Sequence, residues 1–243
     1  MFSGEIMPVK VLQYWQNVLP QTMFVNLYGP TEITCNCSYY IVDREFKLDE
    51  SIPIGKEFRN TQMLLLDPDK KELITEPLKQ GEICVRGTCL ALGYYADKEK
   101  TENAFIQNPL VNTYMEKLYR TGDIGYYDEN GVMYFASRKD YQIKHMGHRI
   151  ELGEIEVAVN AIDYIDAAVC VFDEPRGKIV LFYQTGDGAT QFGESKELER
   201  DIVLCLSKKL PKFMWPNRYV AYDKLPLNKN GKIDRVFLKS TLS

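Results

Sequence analysis

The chain has 243 residues, of which 45% are apolar and 26% charged, and its formal net charge is −4. That size and composition suit a globular protein of one large domain or two modest ones, with enough chain to bury a core. The mild acidity excludes the basic footprint of a nucleic-acid binder, and no run approaches the ~20 apolar residues of a membrane-spanning helix.

Met1 to Glu5 has neither the basic start nor the apolar core of a secretion signal, which makes the cytoplasm the expected compartment. The cysteines Cys35, Cys37, Cys84, Cys89, Cys170 and Cys205 form no Cys-x-x-Cys pair. With only His145 and His148 beside them, they read as small buried hydrophobes rather than as zinc ligands or a disulfide framework.

Leu12, Trp15 and Leu19 recur at helical spacing, with Val11 and Val18 widening the stripe, and predict a helix from about Pro8 to Leu19 that Pro20 closes. "TMFVNLY" then reads as a buried strand running into the Gly29-Pro30 turn. A second extended run is expected from Ile33 to Val42, which would set Cys35 and Cys37 on one face. "TQMLLLD", "GEICVRG" and "GVMYFAS" are short strands of a compact β-rich subdomain. Beyond a boundary at Lys139-Asp140 the pattern changes. Ile155, Val159 and Ile162 give a helix starting near Glu151, and "AAVCVFDE" and "KIVLFYQTG" are two strands joined over Pro175-Arg176-Gly177. A helix from about Ser195 to Leu210 and a strand "RYVAYDKL" complete a small α+β unit.

Four polar constellations interrupt this pattern. In "NLYGPTE", a hydroxyl and a carboxylate just past a strand end could reach a phosphate and its hard cation, though a solvent-facing turn explains five residues equally well. In "YRTGD", Asp123 is placed to accept bonds from vicinal sugar hydroxyls, while Thr-Gly-Asp is also good turn chemistry. "SRKDYQIKHMGHRIELGEIE" offers Arg138 for ribose or phosphate oxygens and Asp140 at the domain boundary. Gly147 stands in a loop where backbone could approach a ligand, the alternative being a linker followed by an amphipathic helix. In "PLNKNGKIDR" the hairpin signal Asn230-Gly231 projects Lys232, a mobile charge suited to a transition state that gathers negative charge on oxygen, or simply an exposed turn lysine.

The ordered series "SGE", "NLYGPTE", "GEICVRG", "YRTGD", "SRKDYQIKHMGHRIELGEIE" and "LNKNGKIDR", from Ser3 to Arg235, resembles the acyl-adenylate-forming (AMP-binding) superfamily. That superfamily includes amino-acid adenylation domains of nonribosomal peptide synthetases and acyl-CoA synthetases. "FSGEIMPVK", "RIELGEIE" and "NGKIDR" look most like its D-alanine:carrier-protein ligases. The resemblance implies an α/β and α+β architecture. Residues 1–139 would be the C-terminal part of the large AMP-binding domain, with a helix, strands and a β-rich subdomain. Residues 140–243 would be a small mobile α+β domain carrying the catalytic-lysine loop.

It also implies a two-step ligase: a carboxylate and ATP give acyl-AMP and pyrophosphate, and a phosphopantetheine thiol on a carrier protein then takes the acyl group. The implied cofactors are ATP/AMP and Mg2+, and the implied partners an amino acid or other small carboxylate and an acyl or peptidyl carrier, with no nucleic acid or membrane. By the family pattern Gly4 and Glu5 lie along the adenine with Asn26 and Tyr28 nearby. Gly29 and Pro30 shape the wall, Thr31 contacts phosphate and Glu32 helps hold magnesium. Asp123 and Arg138 take the ribose, and Phe135 lies near the nucleotide. Asp140 is the hinge, Gly147 lines the pantetheine path, and Lys232 bridges the substrate carboxylate and α-phosphate.

Two positions depart from that pattern: Ser137 where a glycine is usual, and Ser3 where D-alanine ligases carry cysteine. The family's phosphate loop would precede residue 1, so the chain is expected to be a C-terminal portion that does not complete adenylation alone. The alternatives are an acyl- or aryl-CoA ligase portion and a non-catalytic nucleotide- or carrier-binding module.

Overall fold

The structure, a computed structural model, describes every residue except 68, 70, 71, 146, 187, 190–194 and 243, and the side chains of 140, 144, 149 and 195 are also outside the description. The chain divides into two units, residues 1–47 with 51–139 and residues 48–50 with 140–243. Among the described residues no helix is long and apolar enough to cross a membrane.

Among its described residues the first unit holds two sheets. In one, β1 (Phe2–Ser3), β2 (Val25–Tyr28), β3 (Ser38–Ile41) and β4 (Lys56–Glu57) lie in that order, with β1 parallel to β2 and the other pairs antiparallel. Helix α1 (Val9–Val18) follows Pro8, whose carbonyl accepts from Val11 and Leu12, and it buries Val9 and Leu12 among Phe46 and Ile52. Its expected span holds to within a residue at each end.

The second sheet contains β5 (Thr61–Leu66), β6 (Gly81–Gly87), β7 (Phe105–Gln107), β8 (Lys117–Tyr127) and β9 (Met133–Arg138). Its path is β5-β6-β8-β7, and β9 pairs with the later part of β8. Alternate side chains of these strands, Met63, Leu65, Ile83, Val85, Tyr119 and Met133, meet in one core with Ile33 and Phe105. Helix α2 (Lys98–Ala104), absent from the sequence reading, is capped by Asp97, which accepts from the Lys100 N–H at 3.0 Å.

In the second unit a hairpin of β10 (Gln142–His145) and β11 (His148–Glu151) leads into α3 (Leu152–Asn160). β12 (Ile165–Asp173), β13 (Lys178–Thr185) and β14 (Arg218–Tyr222) form a sheet in that order, β14 parallel to β13. Strand alternation separates two cores. Cys170, Ile179, Leu181 and Tyr183 pack with α3 and with α4 (Ser195–Ser207). Val169, Val171, Val180 and Phe182 pack with Leu225 and with Leu238 of α5 (Arg235–Ser240).

One sequence expectation changes, and two alternative readings are replaced. The run from Ile33 to Val42 is not one strand: Thr31–Ile33 is a 3-10 turn, and Thr34 and Cys35 are left-handed at φ 62° and 83°. Cys35 is therefore exposed while Cys37 is buried, and the two do not share a strand face. The "YRTGD" segment is no turn but lies inside the eleven-residue β8. The stretch for which a linker was the alternative reading is the β10–β11 hairpin, with His145 opposite His148 and Gly147 in its turn at φ 82°.

Candidate functional site

The side chain of Asp123 is aimed by an irregularity in β8. Between the pairs Cys84–Arg120 and Glu82–Ile124, β8 carries two more residues than β6. Such a bulge bends the strand and redirects side chains. Gly122 takes it up at φ 71°, a conformation that strains any other residue. Buried Glu82 fixes it from the next strand, pairing with the Arg120 guanidinium at 2.5 Å and accepting the Gly122 N–H at 3.3 Å. Buried Thr121 adds a second fixing point, donating to the Ile83 carbonyl at 2.7 Å and accepting from the Asp123 N–H at 2.9 Å.

Asp123, 6% exposed, is thereby turned toward two donors. The Tyr28 hydroxyl donates to its Oδ2 at 2.5 Å, across 95 residues of sequence, and Arg138 Nη1 donates to Oδ1 at 2.9 Å. Arg138 is the cross-strand partner of Asp123 on β9. Burial first, and the Asp123 carboxylate second, push the Tyr28 phenol well above its ordinary value, so it keeps its proton and remains a donor. The Phe135 ring centre lies 6.5 Å from that of Tyr28.

Tyr28 ends β2, and the parallel pairing Ser3–Leu27 brings Gly4 and Glu5 out of β1 beside it. Ligands gather at the carboxyl ends of parallel strands, where loops diverge. Gly4 turns there at φ 95°, and the Ser3 hydroxyl donates to Asn36 Oδ1 at 2.7 Å. Asn26, two residues before Tyr28, donates its amide to the Pro53 carbonyl at 2.8 Å. At Gly29 the chain folds back so closely that an added Cβ would stand 2.6 Å from Asn36 Cα, a backbone atom that cannot yield cheaply. Pro30 then opens the 3-10 turn, on which Thr31 is exposed and Glu32 half-buried.

Glu32 belongs to a second cluster against the same core. Tyr94 donates its hydroxyl to Glu32 Oε1 at 2.6 Å and lies 3.4 Å from the Tyr119 hydroxyl, with Lys100 Nζ 4.1 Å from the centre of the Tyr94 ring. Burial by itself would raise the Glu32 carboxyl. The bonds from Tyr94, from its own backbone and from Tyr119 outweigh that and hold it below the usual range. A carboxyl depressed in the folded state stabilises the fold above its unfolded value, and that contribution is lost as pH falls through the folded one. Tyr94→Phe is therefore expected to raise the Glu32 titration midpoint, read by carbon-13 NMR, and to open a stability gap at neutral pH that closes in acid. A Glu32 curve that does not move would show that Tyr94 does not set its charge.

The remaining predicted residues belong to the second unit. Lys232 is exposed on a loop built around Asn228, whose side-chain oxygen accepts from the Asn230 N–H at 2.9 Å and the Lys232 N–H at 3.1 Å. The Asn228 N–H donates to the Lys232 carbonyl at 2.7 Å, Leu227 bridges to Ile233, and Gly231 turns at φ 77°. The Asn-Gly signal thus makes the tight turn it predicts. Gly147 sits at the tip of its hairpin with nothing among the described residues within 4 Å of an added Cβ, and its backbone conformation at φ 82° is what calls for glycine there. Asp140 falls in a 3-10 turn, Lys139–Tyr141, and its side chain lies outside the described residues.

The structure thus brings Tyr28, Asp123, Arg138 and Phe135 together, with Glu32 beside the same core. Sequence reasoning missed the residues that hold them: Glu82, Thr121, Tyr94, Tyr119 and Asn228. Only Asn228 carries a local signal, an Asx turn two residues before Asn-Gly. The others depend on contacts across strands.

Comparison with known proteins bears on what this arrangement serves. Residues 1–95 match the model of the AMP-binding enzyme family. The chain is 36% identical to Delta-poly-L-ornithine synthetase of Acinetobacter baumannii, over 98% of this chain and 17% of that protein. It is 34% identical to D-alanine--D-alanyl carrier protein ligase of Bacillus licheniformis, over 100% of this chain and 47% of that protein. The chain spans less than half the length of either relative. Its fold is similar to that of Klebsiella oxytoca NpsA in complex with 3-hydroxyanthranilyl-AMSN, with a TM-score of 0.83 and 25% identity over 99% of this chain and 47% of that one.

Proposed function

The chain belongs to the AMP-binding enzyme family, the acyl-adenylate-forming ligases, and from that premise we propose that it is the C-terminal portion of an ATP-dependent ligase that activates an amino acid and loads it onto a carrier protein. Asp123 carries the reading. It is a buried carboxylate held on one oxygen by Tyr28, at the carboxyl end of β2, and on the other by Arg138. A carboxylate has about four acceptor positions, so it can keep such protein donors and still take the vicinal hydroxyls of a ribose. Tyr28, Phe135 and the Gly4-Glu5 turn would flank the adenine, Asn26, Gly29 and Pro30 would shape the cleft wall, and Thr31 would meet phosphate.

Glu32 fits Mg2+: it is an ionised, half-buried carboxylate with a hydroxyl fixed on one oxygen, and magnesium takes one or two carboxylates besides substrate phosphates. Bound there, the ion would neutralise phosphate charge. Lys232 would bridge the substrate carboxylate and the α-phosphate in the first step. Asp140 would be the hinge of the second unit, and Gly147 would border the pantetheine arm in the second step. The cytoplasm is the compartment such a reaction fits.

An amino-acid substrate is supported by both relatives named above, and D-alanine is the first to assay. The complete ligase is expected to exchange pyrophosphate into ATP with D-alanine or L-ornithine and to load a holo-carrier rather than coenzyme A. Exchange with an aryl or fatty acid and loading of coenzyme A would replace this reading with a CoA ligase. The 243-residue chain alone is expected to bind AMP weakly and to show no exchange.

A further inference from the structure

The loop that carries Lys232 is anchored to its unit at a point the reading above does not use. Arg235, the first residue of α5, follows Lys232 by three positions. Its Nη1 and Nη2 donate to the two oxygens of Glu156 on α3, at 2.6 and 2.7 Å, and Nη1 also donates to the Cys170 carbonyl on β12 at 3.0 Å. Glu156 Oε1 accepts in addition from the Cys170 N–H at 2.7 Å. The guanidinium carbon lies 4.8 Å from the ring centre of Tyr141, the residue after Asp140. The Arg235 and Glu156 side chains are 24% and 13% exposed, so the pair is largely desolvated.

We propose that Arg235 and Glu156 form a clamp that positions Lys232 and ties its loop to the segment beginning at Asp140, so that the second unit carries the lysine as a rigid part. The inference rests on Lys232 being the adenylation lysine; both clamp residues act through it and are positioning residues. The bonds around Asn228 fix the shape of the loop but not its place. Its closure, Asp234 N–H to the Pro226 carbonyl, is also internal. Helix α5 has six residues and buries only Leu238. Ile233 and Leu225, on either side of the loop, pack against the β12–β13 core, and the Leu225 N–H donates to Gln184 Oε1 at 3.1 Å; to that attachment the two-pronged guanidinium–carboxylate pair adds a fixed orientation as well as distance. The Tyr141 contact extends that fixed geometry to the residue beside the proposed hinge.

Arg235→Lys keeps the charge but loses the fork, and Glu156→Gln keeps the shape but loses the charge. Neither strips the site as alanine would. In the 243-residue chain each is expected to speed amide exchange of Gly231, Lys232 and Ile233 by about tenfold or more, with the β13 amides of Val180 and Phe182 unchanged. Unchanged loop exchange, or equal loosening of β13, overturns the clamp whatever Lys232 does. In the complete ligase, Arg235→Lys is expected to lower kcat of adenylation by about 10²-fold, the scale of a 1 Å misplacement, with KM for ATP and transfer from preformed acyl-adenylate little altered. Equal loss in both steps, or in neither, overturns it. Lys232→Ala run alongside separates the two ideas: if adenylation survives it, the lysine assignment fails and the clamp is judged on exchange alone.

Discussion

Lys232→Ala in the complete ligase is expected to lower acyl-adenylate formation by about 10²–10³-fold, the cost of removing one preorganised stabiliser of transition-state charge. Transfer from supplied acyl-adenylate to the pantetheine thiol should change little. The asymmetry follows from where charge develops. When a carboxylate attacks a phosphate, two anionic groups approach and the bridging region gains negative charge, and a cation between them acts at the step itself. In thiol attack on an acyl-adenylate that need is gone. The side chain is exposed, and the substitution keeps the backbone bonds to Asn228 and the Leu227–Ile233 bridge that close the loop. An unchanged melting temperature should therefore accompany the kinetic loss. Equal falls in both half-reactions would remove the assigned role.

Much of the fold was legible because hydrophobic spacing is local information. Strands such as β5 and β6 and helices α1 and α3 announced themselves by periodicity and by their Pro, Gly and Asn-Gly punctuation. What failed was local chemistry overruled by distant contacts. Thr-Gly-Asp has every mark of a turn, yet Glu82, about 40 residues earlier, and Thr121 itself lock it as a bulge inside β8. Likewise the extended reading of Ile33 to Val42 ignored that two non-glycine residues, Thr34 and Cys35, would be wound left-handed as the chain turns back past Gly29. Hairpin β10–β11 was hidden because each strand has four residues and only one isoleucine, Ile143 or Ile150, too short a run for alternation to stand out.

The candidate site divides the same way. Asp123, Arg138, Tyr28 and Glu32 could be picked out as polar interruptions of apolar strands, and their order in the chain carried the family resemblance. Their partners could not. Tyr94 and Tyr119 look like ordinary strand and loop aromatics until Glu32 is found against them. Arg235 and Glu156 stand 79 residues apart in the sequence, and only the fold makes them a pair.

Asp123→Asn is expected to weaken AMP binding by the chain by about 10- to 100-fold, the scale of losing hydrogen bonds to a charged acceptor. The amide keeps the shape of the carboxylate but not its charge, and one end becomes a donor: facing Arg138 it meets a group that cannot accept, and facing Tyr28 it turns the phenol from donor to acceptor, so in either orientation the charge-assisted bonding of Asp123 is lost. Arg138 is 39% exposed at its side chain, so water screens part of the lost pairing and the fold should survive with a modest fall in melting temperature. The sharper comparison uses 2′,3′-dideoxy-AMP. If Asp123 accepts the ribose hydroxyls, that ligand should bind the unaltered chain weakly already, and Asp123→Asn should scarcely weaken it further. The two losses then fail to add, as they must when both delete one interaction. If Asp123 instead serves only to hold Tyr28 and Arg138 in place, Asp123→Asn weakens AMP and dideoxy-AMP by the same factor. The ribose assignment would then pass from the carboxylate to its neighbours.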